Sequence, residues 1–252
     1  MILRALILWC ALLLPATAQE TVVSGLSQNR VGITANFDGS EIVVFAAVAR
    51  TAPAPPGRLD VIVTVEGPVG PVIVRRKARV FGIWVNTEAV EVDAAPAFYA
   101  IATTGPLSRI LSETENLRHR IRINEAVRAV GTAHQAEDSP AFVEALIRLR
   151  RERGLYQVRD GGVLLDRDTL IRSDIRLPAS LSEGRFRVRV FLLRDGNVVG
   201  QEETEITVQK EGIERFLHRL ALDRPLVYGI LSLSLAILAG WLASAAFAWV
   251  RR

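Results

Sequence analysis

The chain is nearly devoid of cysteine: Cys10 is the only one in 252 residues. One thiol excludes a disulfide scaffold. Net charge is also low, with 31 Lys+Arg against 27 Asp+Glu. Together with a hydrophobic fraction of 50 %, that balance excludes intrinsic disorder. Long apolar runs are scarce. There are two, one at each end, which excludes a polytopic membrane protein. Catalytic motifs are missing as well. Gly161-Gly162 lacks the ending of a phosphate loop, no G-x-S-x-G occurs, and His119, His134 and His218 are far apart. The residues point to no catalytic centre and no cofactor. His134, Glu137 and Asp138 have a spacing that could serve a metal, but they precede a helix start, where acidic residues are favoured anyway.

The two ends define the topology. Residues 1–18 read as a signal peptide: Arg4, the short apolar run Leu6 to Leu14, the helix breaker Pro15, then Ala16-Thr17-Ala18. Cleavage is expected between Ala18 and Gln19, an uncleaved anchor being the alternative. Trp9 is too bulky for a lipoprotein signal at Cys10. At the other end, Leu226 to Val250 is uncharged over 25 residues, about 37 Å of helix and enough to cross a bilayer. Residues 225–250 are therefore read as one transmembrane helix and 251–252 as a cytoplasmic tail. The signal orients the chain, with its bulk in the periplasm and its anchor in a bacterial inner membrane.

Between the ends lies a β-rich domain, 19–211. Val31 and Ile33 alternate with polar residues. Ile42 to Val48, Leu59 to Glu66, Pro71 to Val74, Val80 to Val85 and Ala97 to Thr103 are strand candidates punctuated by Gly and Pro. The period turns helical after Pro106, through Leu107, Ile110, Leu111, Thr114, Leu117 and Ile121. A second helix follows, with Ser139 as N-cap, Pro140 first in the helix and Gly154 at its end. Arg185 to Val190 alternates strictly, Phe186, Val188 and Val190 facing inward and three arginines facing water. Asp195-Gly196-Asn197 is a hairpin turn signal. The pattern predicts a mostly β, immunoglobulin-like sandwich with a helical insertion near 106–153. Two small β domains flanking a helical pair are the alternative. Residues 212–224 form a juxtamembrane segment with an amphipathic pattern.

Three basic clusters stand out: Arg75-Arg76-Lys77 with Arg79; Arg118, Arg120 and Arg122; and Arg148, Arg150, Arg151 and Arg153. They could hold anions or anionic headgroups. They could equally be solvated faces paired with Glu113, Glu115, Glu125 and Glu152. Export and the balanced charge argue against nucleic acid. In the anchor, Ser232, Ala236, Gly240, Ser244 and Ala248 recur every four residues. Such a small-residue ladder lets a second helix approach closely, so the expected partners are the membrane and another transmembrane helix, from a second copy or a transporter subunit.

The chain resembles the Alph_Pro_TM family of transmembrane proteins from alphaproteobacteria. The resemblance rests on Leu26-Ser27-Gln28 through Asn36-Phe37-Asp38-Gly39, on Gly82-Ile83-Trp84-Val85-Asn86 and on Ala97-Phe98-Tyr99-Ala100. It continues in Ser173-Asp174-Ile175-Arg176-Leu177-Pro178, Tyr228-Gly229 and Gly240-Trp241-Leu242. It implies a partner, a sulfite or organosulfonate exporter of the TauE/SafE type, and it carries over no functional residue. The expectation is a non-catalytic accessory or binding module. A membrane-anchored enzyme or a structural envelope protein are the alternatives.

Overall fold

The computed structural model describes residues 20–28, 30–33, 39–51, 53–129, 138–210, 217 and 220–250. The chain divides into two compact units, the larger ending at Val208.

The larger unit is a sandwich of two sheets. Strands β1 (Glu20–Leu26), β3 (Ser40–Arg50), β10 (Leu170–Leu177) and β9 (Val163–Asp166) form one, in the order β1-β3-β10-β9. The other has the order β2-β12-β11-β4-β7-β8. Its strands are β2 (Arg30–Ile33), β12 (Asn197–Lys210), β11 (Gly184–Arg194), β4 (Leu59–Glu66), β7 (Tyr99–Thr103) and β8 (Tyr156–Arg159). Alternation places Ile42, Val44, Ala46 and Val48 of β3 inward, with Ile171 and Ile175 of β10 beside them. Val61, Val63 and Val65 of β4 pair across the ladder with Leu192, Val190 and Val188 of β11, on the facing surface.

β4 is buried on both faces, so Ile62, Thr64 and Glu66 on its second face are covered as well as the valines. That face is covered by the helical insertion: α1 (Leu107–Ile110), α2 (Glu113–His119), α3 (Ile123–Ala126) and α4 (Ser139–Glu152). Ile62, Tyr99, Ile101, Phe191 and Leu193 from the sheet pack there with Ile110, Ile121, Leu146 and Ile147. The insertion is also a crossover. β7 and β8 pair in parallel, which no hairpin can achieve and which demands a long connection.

The helical segments depart from expectation in two places. The spacing after Pro106 predicts one helix, but Leu111 is extended and Ser112 starts another, its Oγ accepting the Glu115 N–H at 3.4 Å. Ser112-x-x-Glu115 is a capping-box sequence, a start signal inside the apparent period. Leu117 consequently faces solvent. In α4 the N-cap is Asp138, and Ser139 is already helical. The other end follows expectation. Gly154 takes φ 69°, the Gly154 N–H donates to Arg151 O, and the Leu155 N–H donates to Arg150 O. These two bonds make a Schellman cap.

β5 (Val69–Val80) and β6 (Ile83–Pro96) form a separate two-stranded hairpin. Its proximal half is anchored by the buried Val90 and Val92. The second unit contains α5 (Pro225–Val250), a helix whose Pro225–Ser244 stretch has a mean hydropathy of 2.0 and is long and apolar enough to cross a membrane. Residues 1–18, Gln19 and most of 212–224 lie outside the described residues, so the signal peptide, its cleavage point and the juxtamembrane pattern have no structural counterpart here.

Candidate functional site: an arginine-lined cleft

β11 positions the site. Its alternation predicts Arg185, Arg187 and Arg189 on a wet face, and the first two are indeed exposed. Arg189 is different: it is only 9 % exposed, because α2 lies over that end of the strand. Its Nη1 donates to the His119 carbonyl oxygen at 2.8 Å, and its Nη2 donates to the Tyr99 hydroxyl at 3.3 Å. The first bond satisfies a carbonyl that the helix end leaves open. The guanidinium also lies 5.2 Å from the Phe191 ring centre. Its Nε is buried without a partner among the described residues.

Tyr99 ties the insertion to the sheet. Its one hydroxyl proton is shared between Ile121 O at 2.9 Å and Arg120 O at 3.1 Å. Burial pushes its pKa far above the ordinary tyrosine value, so it stays a neutral donor. Arg120 itself ends α2 in the left-handed conformation, φ 51°. Its neighbour Arg118 pairs with Glu115 at 2.8 Å. Arg122 likewise pairs with Glu113. Arg128 is held by backbone bonds to Ala94, in both directions.

These pieces enclose a cleft of about 330 Å³ lined by Glu66, Val69, His119, Arg120, Ala126, Arg128, Arg187 and Arg189. Four arginines and one carboxylate line it, and that carboxylate, Glu66, accepts from Arg187 Nη2 at 2.8 Å. Arg120 and Arg128 are both exposed. Three other clefts carry less positive charge. One around Arg185 and Arg187 has three acidic residues; of two along α4, one sets Arg75, Arg76 and Arg148 against Glu144, and the other sets Arg148 and Arg151 against Glu144 and Glu152. An excess of guanidinium donors in a partly desolvated recess suits a small anion. Metal chemistry finds less material: among the described residues no group of three His, Cys, Asp or Glu side chains comes together. Asp138 accepts from Arg76 at 3.1 Å, and His134 and Glu137 lie outside the described residues.

The sequence names Arg120 within a cluster and Arg187 and Arg189 within a strand, but it does not join them to Arg128 or Glu66. The ladder residues Ser232, Ala236, Gly240 and Ser244 are exposed along α5, and Ala248 falls in the same helix. A Cβ added at Gly240 would meet nothing within 4 Å.

Among the described residues, a mostly β body and one helix long and apolar enough to cross a membrane define the class of protein. Residues 21–249 match the family model described as Putative transmembrane protein (Alph_Pro_TM), and the chain belongs to that family. Comparison with the curated proteins yields no match.

Proposed function

We propose that this protein is a non-catalytic binding module, held in the bacterial inner membrane by a single helix, whose periplasmic body captures a small oxyanion in the arginine cleft. The observation that carries this reading is the convergence of Arg120, Arg128, Arg187 and Arg189 on one recess with a single carboxylate. Guanidinium forks match sulfate, sulfonate or sulfite oxygens in geometry and charge. The small-residue ladder of α5 would then dock the module against a partner helix, from a second copy or a transporter subunit. The family resemblance adds a candidate for that partner, an exporter of the TauE/SafE type.

The test is a calorimetric titration of the full chain in detergent with sulfate, sulfite and methanesulfonate. One of the three should bind the parent with 1:1 stoichiometry and fail to bind Arg120→Ala/Arg128→Ala. Both arginines are exposed, so the double variant keeps its fold. Absence of heat from all three anions, or equal binding by the variant, overturns the assignment.

A further inference from the structure

The β5–β6 hairpin ends in a turn whose chemistry is wrong for a solvated loop. Phe81 and Gly82 occupy the two turn positions with φ 47° and 90°. The β11–β12 hairpin makes the same kind of turn with Asp195 and Gly196, at φ 49° and 81°. Asp and Asn tolerate the left-handed region and are the usual residues there, whereas a bulky aromatic is not. Phe81 nevertheless sits there and is fully exposed. Next to it Trp84 is 70 % exposed and Ile83 65 %.

The register sorts the distal hairpin into two faces. Val80 opposes Ile83 and Ala78 opposes Val85, all four on one side. Arg79 opposes Trp84, Lys77 opposes Asn86 and Arg75 opposes Ala89 on the other. One face is apolar and the other basic. Arg76 lies on the side of Ala78 and Val80 but at the hairpin's base, where it pairs with Glu88 and Asp138 and lies 4.5 Å from the Phe142 ring centre. Arg75 and Lys77 are both exposed.

We infer that this hairpin is a second membrane contact, which dips its tip into an anionic lipid surface. From Ala78 and Val85 to the turn is three residues per strand, about 10 Å at the strand rise. That matches the depth at which apolar side chains enter the boundary between headgroups and acyl chains. Trp84 then lies at the level where indoles concentrate, and Arg75, Lys77 and Arg79 reach the anionic headgroups. The same chain carries the anchor. Only 15 positions separate Lys210 from Pro225, at most about 50 Å of extended chain. Tethering of this kind makes the second contact intramolecular, so weak insertion suffices. The basic face disfavours a second copy as the occupant, since like charges would meet.

Trp84 is the reporter. With Trp9, Trp241 and Trp249 replaced by Phe it is the only indole, and the full chain is reconstituted into phosphatidylcholine vesicles with or without phosphatidylglycerol. Brominated acyl chains should quench Trp84 in the anionic vesicles, and high salt should reduce the effect. Each basic residue near such a surface contributes about five-fold to partitioning. Arg75→Gln/Lys77→Gln/Arg79→Gln should therefore weaken it by about a hundred-fold and abolish quenching, as should Phe81→Ser/Ile83→Ser. All five side chains are exposed, and circular dichroism checks that the body remains folded. Trp84 emission characteristic of water, without quenching in anionic vesicles, overturns the inference. So does a blue shift without bromolipid quenching, which would mean that protein covers the tip.

Discussion

Glu20, 4 % exposed, is clamped between two arginines that join both sheets. Its carboxylate accepts from Arg194 Nε at 2.8 Å and Nη2 at 2.9 Å, a bidentate pair, and from Arg50 Nε at 2.7 Å. The Arg194 hydrogen bonds, opposed by burial and helped by Arg50, lower its pKa from 4.5 to about 2. The folded state therefore prefers the ionised form. The stabilisation is complete above the unfolded value of 4.5 and is lost as pH falls toward about 2. The shift corresponds to about 3 kcal/mol. Glu20→Gln keeps the shape and removes the charge. It should lower stability by about that amount near neutrality and by almost nothing at the acid end. Urea unfolding of the full chain in detergent, followed by circular dichroism, measures both proteins across the pH range. Other carboxylates titrate equally in both proteins and cancel in the difference. A gap between parent and variant that stays constant from about pH 6 to about pH 3 would refute the paired, ionised carboxylate.

Val188 is fully inside the sandwich; Val188→Asp buries an unpaired carboxylate and should cost several kcal/mol, read as loss of the folded body in limited proteolysis. Arg187→Asp is not the harmless surface change that alternation alone implies. It faces the poorly exposed Glu66, now without its 2.8 Å partner, so a loss of about 2–3 kcal/mol is expected, and Arg187→Gln should recover part of it. Gly184 has φ 143°, and an added Cβ would strike the Pro68 ring; Gly184→Ala should lower the melting temperature, whereas Gly154→Asn, at an open left-handed position, should change it little. Gly240→Leu leaves the span apolar and should abolish crosslinking of α5 to its helix partner in native membranes, with Leu238→Ile as the control; undiminished crosslinking would reduce the ladder to a run of small residues.

Local chemistry was legible in the sequence. The inward side of Arg185 to Val190, the Asp195-Gly196 turn, the Gly154 cap and the apolar helix after Pro225 each depend on neighbours within a few positions, and each lies where expected. Periodicity records which face of an element is apolar, and that information lies along the chain. Which face a second layer covers does not. The helix cover over β11 turned Arg189 from a surface charge into a buried donor, and the parallel β7–β8 pair made the insertion a crossover. Glu20 meets Arg194 across 174 positions, and the cleft unites residues from 66 to 189. Contacts of that separation are set by strand register and the stacking of layers, which many different local patterns could satisfy; only the folded chain selects one.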